Sequence, residues 1–363
     1  MRIGILLHPY DEEKPAGLAR TIMGFVAGML EVDRKNEYVI FVKKNPKKNP
    51  QLPGKNWKIY VLGEGFFWLD QMRHAPRADV YIFHTPVMPF FWHPPKSIVI
   101  ALDFAYHYLP AENARTFLKN KIIGWYHGHS LRRADHIVSI SETTKKEIVK
   151  LYGTSEQKIS VVYMGFDSVC RLPEEKVSIP SKFFLFVGVL KPRKNPFAVI
   201  KAFAQFYINH REYSLVIAGK GGGPYYEEMQ KYIHEHNIKD AVLFTGFITD
   251  NQLSYLYKRA FSMVFPSIFE GSFALPVFEA IDCGLPVITS GQGPYESLEE
   301  TVGDAALLVN PLDISEIANA MMQMAEEDGL RERLIRKGFE HAKKFSWNKA
   351  GSELLTVVEK LAQ

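Results

Sequence analysis

Cysteine is scarce in this chain: two residues, Cys170 and Cys283, among 363. That excludes a small disulfide-stapled scaffold and leads us to expect separate, structural thiols in a reducing compartment. Long apolar runs are missing as well. No stretch reaches the ~18 residues that a membrane-spanning helix requires. The most apolar segment, 81–95, is broken by His84, His93 and four prolines. The opening MRIGILLHPYDEEK loses its apolar character at a His-Pro step and an acidic cluster, so it reads as a buried first strand rather than a signal peptide. No Gly-x-Gly-x-x-Gly follows that strand, which argues against a dinucleotide oxidoreductase. His127-Gly128-His129 has no Cys or carboxylate pair nearby to complete a ligand set, so no metal or other cofactor is expected. There is no short-period repeat and no low-complexity segment.

What is present is an ordinary globular composition, 47% hydrophobic and 23% charged, in a chain longer than one core usually supports. Two domains are therefore expected. RIGILL, YVIFV, KIYVL, VYIF, SIVIAL, HIVSIS and KISVVYMG read as strands, with helices at about Ala19–Leu30 and over SETTKKEIVKLYG. Ser141 with Thr144 offers a helix N-cap. RLPEEKVSIPSK, proline-rich and without periodicity, reads as a linker. A second alternating series follows, from FFLFVGV to AALLV, and the tail from ISEIANAM onward is nearly all helical. Continuous apolar strands alternating with helices predict parallel sheets covered on both faces. The fold class is thus α/β with two Rossmann-like domains, 1–172 and 173–346.

Charge divides unevenly between the halves. Residues 1–180 hold 25 Lys+Arg against 18 Asp+Glu, a balance of +7, and residues 181–363 hold 19 against 22, a balance of −3. Lys43, Lys44, Lys47 and Lys48 lie in the same half as Phe66-Phe67-Trp68 and Phe90-Phe91-Trp92. Two readings stand: peripheral binding to an anionic membrane surface, or a solvated lysine loop beside aromatics buried in a core. No nucleic acid is expected as a partner.

The densest signal is PSIFEGSFALPVFEAIDCGLPVITS, 266–290. Glu270 and Glu279 bracket a Gly271-containing turn that leads into a helix, with Pro276 in its first turn and Gly284 at its stop. Such a turn offers backbone N–H groups and a positive dipole end, a natural seat for phosphate, with carboxylates on either side for sugar hydroxyls. A diphosphate flanked by two sugars is a nucleotide-sugar. Upstream, Lys191-Pro192-Arg193-Lys194-Asn195-Pro196 follows the strand FFLFVGV. It sets cations where open α/β sheets bind ligands, with Asn195 as the expected cap of the next helix.

Segment 266–290 resembles the signature of the family 4 glycosyltransferases, retaining enzymes of the GT-B fold: Pro266, Ser267, Gly271, Leu275, Pro276, Glu279 and Ala280 match. Ser272 stands as an inserted residue and Ala274 replaces the second glycine. The resemblance implies a hexosyl transfer from a nucleoside-diphosphate sugar to a saccharide or lipid-linked acceptor, in surface polysaccharide or glycan biosynthesis, by front-face substitution. It implies that Arg193 and Lys194 stabilise the leaving phosphate, Glu270 orients the sugar and Glu279 holds the ribose. Backbone at Gly271, Ser272, Phe273, Ala274 and Leu275 would contact the donor. Gly17 would face the donor from the first domain, and Gly246 with Phe247 would receive the base. The resemblance also implies a central cleft between the domains, a last helix (about 347–363) that crosses back to the first domain at Phe345-Ser346-Trp347, and an acceptor on that domain. Localisation is expected to be cytoplasmic, with peripheral attachment to the cytoplasmic membrane face as its extension. Asp103 aligns with the family's His-Asp step, where this chain has Leu102 for the His. His107 would compensate by folding back, or it is an ordinary loop histidine. A non-catalytic nucleotide-sugar binder and a GT-B sugar-nucleotide epimerase are the alternatives.

Overall fold

The computed structural model describes residues 1–8, 17–111, 113–271, 273–291 and 298–363. Contacts divide the chain into two units, one of 1–166 with 345–363 and one of 167–344. The boundaries thus lie at 166/167 and 344/345, against the expected 172/173 and 346/347.

The first unit carries strands β1 (Arg2–Leu6), β2 (Glu37–Val42), β3 (Trp57–Val61), β4 (Val80–His84), β5 (Ser97–Ala101), β6 (His136–Ser139) and β7 (Ile159–Val161), with helices α1 (Gly17–Val32), α2 (Ala114–Arg133) and α3 (Glu142–Tyr152). All pairings are parallel, in the order β3-β2-β1-β4-β5-β6-β7. The central strands β4 and β5 are buried at every position, as an apolar run covered on both faces must be. Ser141 caps α3 by accepting from the Thr144 N–H at 2.9 Å, and Gly153 ends it in the left-handed conformation.

The second unit repeats the recipe with β8 (Phe183–Val187), β9 (Ser214–Ala218), β10 (Val242–Gly246), β11 (Ser262–Phe265), β12 (Val287–Ser290) and β13 (Leu307–Val309). Its helices are α4 (Pro196–Phe206), α5 (Pro224–Glu235), α6 (Asp250–Arg259), α7 (Leu275–Asp282), α8 (Glu299–Val302), α9 (Ile314–Glu326) and α10 (Leu330–Ala342). The strand order is β10-β9-β8-β11-β12-β13, again all parallel. The order reverses between β8 and β11, which makes their C-terminal ends the switch point where open sheets take ligands.

Two expectations are corrected here. The proline-rich stretch 171–182 does not link the units but packs within the second. Glu174 pairs with Lys258 and Arg259, Glu175 accepts from Thr249 and Gln252, and Leu172 O accepts from Ser254. Its two glutamates are partnered along α6 and at its N-cap, so polarity was no sign of a free segment. Cys170 and Cys283, expected as separate thiols, are joined in a disulfide. A 3-10 turn at Val169–Arg171 packs against the C-terminal end of α7, and the two Cα atoms come to 5.5 Å, within bridging range.

The last helix, α11 (Trp347–Ala362), belongs to the first unit and lies along α1. Ser346 caps it through the Lys349 N–H at 3.2 Å. Gly24 and Gly28 make the contact feasible: a Cβ on Gly24 would stand 2.2 Å from the Trp347 ring, and one on Gly28 2.0 Å from its carbonyl oxygen.

Candidate donor site

In the second unit the chain leaves β8 through Gly188 and forms a 3-10 turn at Pro192–Lys194. Asn195 then adopts φ 60°. It occupies the capping position of α4, but its side chain does not cap. The amide donates instead to Pro266 O at 3.1 Å and Pro311 O at 2.6 Å. Meanwhile Arg193 O accepts from the Ile268 N–H at 2.8 Å, and Ser267 Oγ lies 2.9 Å from the same oxygen. The loops after β8 and β11 are thereby stitched together, and the stitching brings the charges to one point. Lys194 Nζ pairs with Glu270 Oε1, and Arg193 Nη1 stands 3.3 Å from that oxygen and 3.2 Å from Phe269 O. Ser267 Oγ is 3.1 Å from it too. The Lys194 and Glu270 side chains are 11% and 9% exposed, and Arg193 keeps 40% of its side chain in solvent. The Lys194 ammonium also lies 5.1 Å from the Phe265 ring centroid. This is a buried cation held by a buried carboxylate, with a more accessible guanidinium beside it.

Gly271 takes φ 53°, and Ala274 sits at the N-cap of α7. Ser272 lies outside the described residues. Phe273 turns inward, its ring stacked 4.1 Å from Phe278, and its N–H approaches Glu270 O at 3.3 Å. Among the described residues, the N–H groups of Ala274 and Leu275 have no hydrogen-bond acceptor. They are the open donors at the head of α7. Pro276 follows and has no N–H to satisfy. Glu279, one turn further, is 2% exposed. Its Oε2 lies 3.4 Å from the Tyr257 hydroxyl of α6, which also stands 3.2 Å from Pro276 O.

Three adjacent strand ends carry glycine: Gly188 after β8, Gly219 after β9 and Gly246 closing β10. A Cβ on Gly219 would fall 1.8 Å from Gly188 O, so only glycine allows that approach. The Gly219–Gly223 stretch is the turn between the end of β9 and the start of α5. Phe247, just past β10, is exposed.

The remaining candidates lie in the first unit. Gly17 is the first residue of α1, and the segment before it, 9–16, is outside the described residues. Asp103 is exposed after β5 and accepts from the Ala105 N–H at 3.1 Å. His107 ends a 3-10 turn, and its Nε2 lies 2.8 Å from the Tyr152 hydroxyl. That hydroxyl is 2.6 Å from Tyr106 Oη, which in turn meets His127 Nδ1 at 2.8 Å. Burial pushes His127 down to about 4 and lowers His107 as well. His129 instead contacts Arg133, at 3.2 Å, so the two histidines of the 127–129 pair have different partners. No cluster of three metal-ligating side chains occurs among the described residues. Sequence reasoning missed Tyr257 and the stitching role of Asn195. Thr249 and Gln252, which form a capping box at the start of α6, were the available signal for the helix that carries Tyr257.

Comparison with known proteins identifies the family and the fold. Residues 173–341 match the family described as Glycosyl transferases group 1, and residues 24–169 match Glycosyltransferase Family 4. Together these matches span most of the sequence. The chain belongs to glycosyltransferase family 4 and has the GT-B architecture. It is 29% identical over 243 residues to the O-antigen chain mannosyltransferase B of Escherichia coli, a match covering 64% of this chain and 62% of that protein. Among solved structures it resembles sucrose-phosphate synthase from Thermosynechococcus elongatus, with a TM-score of 0.77 at 17% identity, covering 99% and 98% of the two chains. It also resembles HepE from Anabaena, solved in complex with UDP and glucose, with a TM-score of 0.74 at 16% identity, covering 98% and 99%.

Proposed function

We propose that this protein is a retaining glycosyltransferase that moves a hexosyl unit from a nucleoside-diphosphate sugar to a saccharide or lipid-linked acceptor in polysaccharide biosynthesis. The observation that carries the reading is the convergence of Arg193, Lys194 and Glu270 at the β8/β11 switch point, beside the open N–H groups of α7. Breaking the bond between the anomeric carbon and the diphosphate leaves growing negative charge on the departing oxygen. Fixed cations and N–H groups stabilise that charge more in the transition state than before it. Arg193, which keeps 40% of its side chain in solvent, and the Lys194 ammonium beside it are the cations that this reading sets against the phosphate. Glu270 holds both cations in place and orients the sugar. Glu279, with Tyr257 behind it, accepts from the ribose, and the strand end at Gly246 and Phe247 receives the base. The acceptor hydroxyl attacks the face that the diphosphate leaves, and the leaving phosphate oxygen takes its proton. Arg193, Lys194 and the α7 dipole supply the positive charge, so this reading requires no metal.

A relative named as a mannosyltransferase and a fold neighbour solved with UDP and glucose set the order of a thermal-shift panel: nucleotide-activated mannose first, then UDP-glucose. A bound donor at 100 times its Kd stabilises the fold by about 2.7 kcal/mol. With the donor that binds best, Lys194→Ala lowers transfer ~100-fold, chelator leaves wild-type transfer unchanged, and NMR of the product shows the donor's anomeric configuration. Unchanged transfer by Lys194→Ala removes the leaving-group assignment. Binding without transfer or hydrolysis identifies a non-catalytic binder, and donor rearrangement without an acceptor identifies an epimerase.

A further inference from the structure

Helix α2 was invisible in the sequence pattern, and its first half is unusual. Leu118, Ile122 and Trp125, at helical spacing i, i+4, i+7, are 61%, 57% and 58% exposed, and Phe117 beside them is exposed too. A helix packed only for stability buries such a stripe. The stripe continues onto neighbouring loops: Trp125 lies 6.0 Å from Phe90, Phe90 5.0 Å from Phe91, Phe91 4.9 Å from Phe67 and Phe67 4.8 Å from Phe66. Phe66, Phe67 and Phe91 are exposed, whereas Trp68 and Trp92 pack against the core. The exposed rings and the core-packed tryptophans thus share the same two segments. One connected apolar surface of this kind marks an interaction site.

Charge selects the occupant. Helix α2 carries Arg115, Lys119, Lys121, Arg132 and Arg133 and no Asp or Glu. The Lys121 ammonium lies 5.4 Å from the Phe117 ring, and Lys43 lies 5.6 Å from the Trp68 ring. A second copy of the chain would bring like charge against like charge on the same helix. An anionic bilayer instead meets the cations at its headgroups while the aromatics and Leu118, Ile122 and Trp125 enter the acyl boundary. We propose that α2, with the loops at 66–67 and 90–91, docks this protein on an anionic lipid bilayer. This surface gives the proposed lipid-linked acceptor a route to the first domain and rests on that reading only for its purpose, since docking is measured without donor or acceptor.

The test is co-sedimentation of the full chain with phosphatidylglycerol/phosphatidylcholine vesicles and with pure phosphatidylcholine vesicles. Binding to the anionic vesicles is expected to be at least about tenfold tighter and to weaken with added salt. Leu118→Ser/Ile122→Ser/Trp125→Ser and, separately, Lys119→Glu/Lys121→Glu should each reduce that binding about tenfold or more. Circular-dichroism melting reports whether both variants remain folded, and transfer to a soluble acceptor by the apolar variant should match wild type. Equal binding to both vesicle types, or wild-type binding by both variants, overturns the proposal. So does a wild-type dimer that the apolar variant converts to monomer, which would make the face a contact between copies. Loss of vesicle binding with soluble transfer intact separates docking from chemistry.

Discussion

In the second domain the loops after β8 and β11 turn Arg193, Lys194 and Glu270 onto one another and take Lys194 and Glu270 nearly out of water, whereas in the first domain α2 and the loops after β3 and β4 leave cations and apolar rings facing out. The first six strands of the first domain run in the same spatial order as the six of the second, with β7 added at one edge, around the same kind of apolar centre. The sheet therefore does not distinguish them; the chemistry lies in what each hangs on its loops. Buried charge is stable only while paired, but exposed rings and lysines are dispensable to the fold. Substitutions in the two places should therefore cost very different amounts.

Glu270→Ala should have the largest effect. It removes the Glu270 carboxylate from a nearly buried Lys194 that stands beside the like charge of Arg193. Removing one partner of a buried pair costs about 3–5 kcal/mol, while replacing both with apolar groups is often neutral. Urea unfolding should show that loss in Glu270→Ala and its partial recovery in Glu270→Ala/Lys194→Met. Equal stability of the single variant and wild type would mean that the pair is solvated, and the contrast between the domains would disappear.

The disulfide comes next. Cys170 and Cys283 close a loop of 113 residues wholly inside the second unit, from its first turn to the end of the helix that bears Glu279. Closing a long loop typically contributes 2–4 kcal/mol. Cys170→Ser/Cys283→Ser, or added reductant with wild type, should lower stability by about that amount, and thiol titration of the unreduced, denatured protein should find no free thiol. Two titratable thiols would break the assignment.

A smaller effect belongs to the first domain. His84, at the end of β4, is buried, and neither ring nitrogen has a hydrogen-bond partner among the described residues. Burial pushes it down from 6.5 to about 3. The unfolded chain takes up a proton below pH 6.5 and the folded chain does not, so stability falls as pH drops through that window. The loss is about 1.4 kcal/mol at pH 5.5 and grows toward pH 3. His84→Leu should flatten this part of the pH profile. An unchanged slope would mean that His84 is protonated, or reached by water, in the fold.

How much of this the sequence revealed depends on distance along the chain. Both sheets follow from continuous apolar runs such as VYIF and FFLFV, since only doubly covered strands look like that. The motif around Glu270 and Glu279 was readable for the same reason: its parts lie within one turn and one helix. Helix α2 escaped notice because Leu118, Ile122 and Trp125 face outward, and Gly124 and Gly128 interrupt what should be helix-forming positions. Local pattern also hid the Cys170–Cys283 pairing, which depends on a 3-10 turn meeting the far end of α7. Asn195 looked like a cap from its place before Pro196. Its left-handed backbone instead frees the amide to bind Pro266 O and Pro311 O, two loops away. The charges at 174–175 suggested a solvated linker because their partners on α6 stand about 80 residues further along.

The smallest expected effect is also the sharpest test of the contrast. Trp125→Ser removes the largest side chain of the α2 stripe, and truncating a buried Trp typically costs 3–5 kcal/mol. At 58% exposure, Trp125 has most of its ring in water already. Its contacts with Phe90 and His129 are the packing it loses, so stability should change by no more than about 0.5 kcal/mol. A loss above 1 kcal/mol would show that the ring supports the first domain as buried side chains do. The stripe would then be part of the core, and the outward face on which the contrast between the domains depends would not exist.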